Sequence, residues 1–146
     1  MRYRIRWIFA VVIVLPLLLA ACGGRSADDG TSTAPATVVQ VPGTDVNRIT
    51  LTPEAAARID IRTAPVRAEA GAGHRTVIPY SAVLYSPSGQ AWTYVNEKSL
   101  TFVRYRIAID RIEGRHAILS SGPSPGTKVA TVGVSELFGT ETDVGE

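Results

Sequence analysis

Hydrophobic and polar positions along this chain fall into three regimes. An uncharged apolar run from Trp7 to Leu19 comes first, a glycine-, serine- and threonine-rich stretch follows Cys22, and short alternating patterns fill the rest from Ile49. Alternation of period two predicts strands. Ile49-Thr50-Leu51 is a short one. Thr52 before Pro53-Glu54-Ala55-Ala56-Ala57-Arg58 reads as an N-cap, with proline at the first helical position and an acid in the first turn. That order predicts a helix of about two turns. Ile59, Ile61 and Val66 resume a strand-like pattern, and residues 68–75 carry no periodicity and read as a loop. Strand patterns then recur at Val77–Tyr80, Ser81–Tyr85, Ala91–Val95, Arg115–Ser120 and Lys128–Val132, with turn compositions at Ser86–Gly89, Glu113-Gly114 and Gly122–Gly126. In the long run from Leu100 to Arg111, Val103, Tyr105, Ile107 and Ile109 share one face, with Phe102, Arg104, Arg106 and Ala108 on the other. Ser135–Phe138 predicts one more helical turn. The pattern predicts a mainly β domain, a small sandwich or barrel with one short helix, over residues 49–140, and a polar tail at 141–146.

Arg2, Arg4 and Arg6 precede the first apolar run, and Leu19-Ala20-Ala21-Cys22 closes it. Charged, apolar and small residues in that order make a secretory signal. The run is shorter than the ~20 apolar residues of a spanning helix, and Pro16 interrupts it. The tetrapeptide resembles the lipobox of bacterial lipoproteins. That resemblance implies a signal peptide at 1–21, cleavage before Cys22, and lipidation of Cys22 by a thioether-linked diacylglyceryl group. It places the protein on the extracytoplasmic face of the cell membrane, the periplasmic side where a cell has two membranes. Residues 22–48 then read as a lipidated flexible tether, within which Val38, Val39 and Val41 alone have strand character.

Removing the leader changes the charge balance. The chain has 15 basic and 13 acidic residues; losing three arginines leaves 12 against 13, a slightly acidic mature chain without the basic excess that nucleic-acid binding calls for. Cys22 is the only cysteine and Met1 the only methionine, so the mature chain offers no disulfide and no soft metal site. His74 and His116 are the only side chains with an ordinary pKa near neutrality, and they stand 42 positions apart with no metal-ligand spacing. Asp60 and Asp110 are available as histidine partners, and Asp110 and Glu113 flank a turn. No serine sits in a nucleophile elbow. The expectation is a non-catalytic protein without cofactor or metal. Trp92, Tyr94 and Phe102 are candidate partner contacts because aromatic side chains dominate binding hot spots, and Arg104 and Arg106 are candidates for gripping an acidic partner.

Several segments from Val77 to Gly139 resemble the C-terminal part of bacterial periplasmic adaptor subunits, the membrane fusion proteins of efflux transporters. They are Ile78-Pro79-Tyr80-Ser81-Ala82-Val83, Gly89-Gln90-Ala91-Trp92-Thr93-Tyr94-Val95, Phe102–Ile107, Ile118–Gly122 and Pro125–Val129. Ile49–Glu54 with Ile59-Asp60-Ile61-Arg62-Thr63 resembles the segment preceding the first domain of metal-type adaptors. The resemblance implies that both segments build a membrane-proximal domain, the part that rests on an inner-membrane transporter of the RND or ABC type. A complete adaptor has a helical hairpin, a lipoyl-like domain and a β-barrel domain between the two segments; here Gly71-Ala72-Gly73 joins them directly. Pro123 and Thr127 stand where the family commonly has leucine and an acid. The expected function is that of a lipid-anchored accessory that binds or modulates an efflux transporter, the alternative being a solute- or cell-wall-binding lipoprotein.

Overall fold

A computed structural model describes residues 34–70 and 75–143. The predicted signal peptide, Cys22, the first part of the predicted tether, His74 and the last three residues lie outside the described residues. The chain is mainly β, as the alternation predicts. Its elements are β1 (Ala36–Gln40), β2 (Asn47–Leu51), α1 (Pro53–Arg58), β3 (Arg62–Pro65), β4 (Arg67–Ala68), β5 (Thr76–Pro79), β6 (Leu84–Tyr85), β7 (Ala91–Lys98), β8 (Thr101–Arg106), β9 (Ala108–Glu113), β10 (His116–Ser121), β11 (Lys128–Val132) and α2 (Val134–Asp143). A single 3-10 turn, Tyr80–Ala82, links β5 to β6.

Two antiparallel sheets result. The larger runs β1-β2-β8-β7-β11-β3, with β6 also on β7, and the smaller runs β4-β5-β10-β9. Two side-chain clusters show how the layers stack. Ile49, Leu51, Tyr94, Phe102 and Ala130 on one face of the large sheet pack with Ala56 of α1 and Val134 and Leu137 of α2. Val129, with half-buried Ala91 and Val95, lies on the other face and packs with Ile78, Ala117 and Leu119 of the small sheet. The order is therefore helices, large sheet, small sheet.

The chain passes between sheets at two buried corners. Val66, 2 % exposed, separates β3 from β4; its N–H donates to the Thr127 carbonyl at 2.8 Å and its carbonyl accepts from Gly126 at 2.9 Å. Ile107, 5 % exposed, separates β8 from β9, its N–H donating to the Ala91 carbonyl at 3.0 Å. The run 100–111, which reads as one strand, is thus two strands in different sheets. Period two continues through a corner of this kind, so alternation alone does not reveal it.

Local signals near α1 act as expected. Thr52 Oγ1 accepts from the Ala55 N–H at 3.1 Å, Pro53 opens the helix, and Asp60, in left-handed conformation at φ 49°, ends the segment. Two boundaries differ from the reading of the sequence. The folded domain begins at β1, paired to β2 from Ala36↔Leu51 to Gln40↔Asn47, so Ala36–Gln40, the turn after it and the start of β2 form a hairpin where the sequence reads as tether. At the other end the predicted single turn extends into the ten-residue α2, and part of the predicted polar tail is helix. Val134, Leu137 and Glu141 fall on one side of α2 and are all buried, the spacing of an inward helical face.

Candidate functional site

The residues expected to contact a partner converge, and they converge inward. Trp92 and Tyr94 alternate with Thr93 along β7, and in the register with β8 they stand opposite Arg106 and Arg104. Tyr94 is 0 % and Phe102 1 % exposed, and Trp92 is buried as well. These three rings therefore present almost no surface to a partner, a correction imposed on Tyr94 and Phe102 by packing against the helical layer. Arg104 is also internal, with a side chain 15 % exposed. Its guanidinium lies over the Trp92 ring, 4.5 Å from the centroid, a cation–π arrangement. Arg106 alone of the five is exposed.

Glu141 of α2 organises this cluster. Its Oε2 accepts from the Tyr94 hydroxyl at 2.5 Å, its Oε1 accepts from the Asn47 N–H at 3.2 Å, and Arg104 Nε lies 3.3 Å from the same oxygen. That Nε makes no aligned hydrogen bond, so the Arg104–Glu141 contact is an ion contact held by proximity. Burial first, then the hydrogen bond to Glu141 and its charge, raise the Tyr94 phenol far above its ordinary value, with Arg104 opposing. The cluster therefore clamps α2 to the sheet. The signal that could have found it is Glu141 itself, seven positions after Val134 and four after Leu137 on one helical face.

Two surface features are better placed to meet another molecule. On the outer face of the small sheet, Arg67, Glu69, Val77, Glu113, His116 and Ile118 line a groove of about 270 Å³. Its charges are largely matched: Arg111 is paired with Glu69, with Glu113 at 2.6 Å and with Asp110 at 3.0 Å. Hydrogen bonds that Arg111 donates to Glu113, then to Glu69 and Asp110, push its guanidinium above its usual value. His116 stands opposite Glu113 in the register of β10 and β9. The aspartates considered as histidine partners face arginines instead, Asp60 with Arg62 at 2.6 Å and Asp110 with Arg75 at 3.6 Å. Among the described residues no group of three His, Cys, Asp or Glu is arranged to hold a metal ion.

The second feature is the large sheet's far face. The small sheet covers it over β7 and β11 and leaves it open over β1, β2 and β8. One cross-strand row shows the gradient: Val129, fully buried, is opposite Val95; Val95 is opposite Val103; Val103 is opposite Arg48; and Arg48 is opposite Val39, 55 % exposed. Tyr105, 47 % exposed, shares that face, and an Arg48–Glu97 pair at 2.8 Å lies across it. The aliphatic set Val103 and Tyr105, the apparent core face of β8, is thus the open one, whereas Phe102 and Arg104 face the helices.

Among the described residues no helix is long and apolar enough to cross a membrane. No protein-family model matches the chain, and neither does any curated protein or solved structure.

Proposed function

We propose that this chain is a lipid-anchored extracytoplasmic accessory protein that binds or modulates a membrane efflux transporter and does no chemistry of its own. One observation carries the reading. Strands from the two adaptor-like segments, 49–63 and 77–139, interleave in one sheet, β2 pairing with β8 and β3 with β11. That is the arrangement the resemblance requires of a membrane-proximal domain assembled from both flanks, although the adaptor's intervening domains are missing here. Acylation at Cys22 supplies membrane attachment, stable where two or more chains are added. A domain confined near the bilayer meets a membrane partner at high effective concentration, so a modest contact is enough. The open sheet face around Val103 and Tyr105 is the surface offered to that partner.

The test is co-purification of the full chain with a polytopic efflux permease from native membranes, alongside Tyr105→Asp and Cys22→Ser. Recovery of such a permease, lost on Tyr105→Asp, supports the reading. A wild-type chain that is membrane-bound and free of any permease, or one still lipid-modified after Cys22→Ser, overturns it. The groove on the small sheet favours a second reading, a solute- or glycan-binding lipoprotein, and a small molecule retained there through purification would support it.

A further inference from the structure

We propose that β1 is a pairing edge through which two copies of this chain join, antiparallel, into one continuous sheet. The first ground is the direction of the backbone groups. Thr52 N–H donates to the Pro35 carbonyl and Val41 N–H to the Val46 carbonyl, each at 3.0 Å. Hydrogen-bonded and non-bonded positions alternate along an antiparallel pair, so Pro35, Thr37, Val39 and Val41 address β2. Ala36, Val38 and Gln40 then turn their N–H and C=O groups away from the sheet. The partner strand agrees, since Leu51, opposite Ala36, sends its N–H to the Leu100 carbonyl of the next connection at 2.9 Å. Among the described residues nothing hydrogen-bonds to the outward groups of Ala36, Val38 or Gln40.

The second ground is that every other edge is guarded. Folded proteins blunt free edges with charge, proline, bulges or brevity. β3 carries Arg62 and ends at Pro65, β4 and β6 have two residues each, and β9 carries Asp110, Arg111 and Glu113 and has register shifts against β10. β1, Ala-Thr-Val-Val-Gln, has none of these devices and is rich in β-branched residues.

The third ground selects the occupant. Across a two-fold axis a strand meets its own copy, so a charge at the centre would face itself and any charge elsewhere would be doubled along the seam. β1 has no charge, and its outward residues are spaced symmetrically about Val38. Antiparallel pairing then sets Val38 against its own copy and Ala36 against Gln40, closing about six backbone hydrogen bonds. Side chains stay on their own faces, with Thr37 opposite Val39 of the second copy. The open face bearing Val39, Val103 and Tyr105 becomes continuous across the pair. This inference stands apart from the transporter reading, because it needs only the domain and its edge.

Single cysteines placed in the full chain test the register, with the wild-type chain, which retains Cys22, as background. In such a pair Val38 and its copy lie about 5.5 Å apart between Cα atoms, Thr37 and the opposed Val39 about 4.5 Å, and diagonal positions beyond the ~7 Å a disulfide can span. Under mild oxidation Val38→Cys should give a covalent dimer several-fold above background, and Thr37→Cys or Val39→Cys alone should not. Co-expressed Thr37→Cys and Val39→Cys chains, differently tagged, should cross-link to each other; both positions are exposed, so this arm does not disturb the core. No cross-link above background at any of these positions overturns the proposal. So does equal cross-linking at 37, 38 and 39 singly, or capture of a different protein at position 38.

Discussion

Removing the carboxylate of Glu141 should destabilise the domain more than any surface change, because three groups lose their partner at once. Glu141→Ala leaves the Tyr94 hydroxyl, the Asn47 N–H and the Arg104 guanidinium facing a vacated site, with Tyr94 0 % and the Arg104 side chain 15 % exposed. Breaking one side of a buried ion pair costs about 3–5 kcal/mol, and an orphaned buried polar group about 1–3 kcal/mol. The costs overlap, since stacking on Trp92 and the residual exposure of Arg104 soften the loss. A net figure of about 3–4 kcal/mol follows, a large share of the roughly 5–15 kcal/mol of a typical domain. Urea titration read by tryptophan emission measures it, and the melting temperature should fall by roughly 12–20 °C.

The same logic predicts recovery. Replacing the whole cluster by apolar groups, as Tyr94→Phe, Arg104→Met and Glu141→Leu together, removes every orphan. It should return to within ~1 kcal/mol of wild type, because buried pairs rarely outperform apolar packing of similar volume. Arg104→Met alone should sit between the two. A loss below ~1 kcal/mol for Glu141→Ala, or a triple variant no better than Glu141→Ala, would refute the account of α2 as a helix clamped by its own carboxylate.

Three further outcomes follow from single positions. Gly133 has φ 82°, and a Cβ there would stand 2.6 Å from Ile61 Cδ1 and 3.2 Å from Ile59 Cδ1, so Gly133→Ala should cost about 2–3 kcal/mol; Gly126→Ala, at φ 89° but in open space, should lose about 1 kcal/mol, and chemical denaturation ranks the two. Thr52→Ala removes the cap on Ala55 N–H and should cost about 1 kcal/mol, which Thr52→Ser largely restores in the same assay. Tyr94 has its phenol raised in the folded state relative to the ordinary value near 10, so its contribution is complete below about pH 10 and fades as pH rises further. Melting curves from pH 8 to 11.5 should therefore show wild type losing stability more steeply than Tyr94→Phe above pH 10, and parallel curves would contradict the burial of that hydroxyl.

Local chemistry made α1 and most strand positions legible. Thr52, Pro53 and Glu54 act through neighbours three or four residues away, and Gly89, Gly114 and Gly126 mark turns where φ is positive, so the information lay within one window. The corners at Val66 and Ile107 were not legible, because a buried aliphatic residue satisfies period two whether the chain stays in its sheet or leaves it. β1 was legible only as strand character at Val38, Val39 and Val41, for a related reason. Short, uncharged Ala-Thr-Val-Val-Gln buries little by itself and becomes a strand through the template of β2.

The candidate site was misjudged through a single long-range pair. Along β8 the arginines and the aliphatics alternate, and an arginine row ordinarily marks the solvent face. Here Arg104 is drawn inside because Glu141, 37 positions later in the chain, arrives on α2 to meet it. Once that carboxylate is in place, the arginine side of β8 can lie beneath a helix, and Val103 and Tyr105 turn outward over the part of the sheet that the smaller sheet does not reach. The half-buried valine and exposed tyrosine on one side and the buried ion pair on the other are therefore one consequence. A chain that settled the Arg104–Glu141 contact differently would also present a different face to whatever binds it, which links the stability of α2 to the identity of the exposed surface.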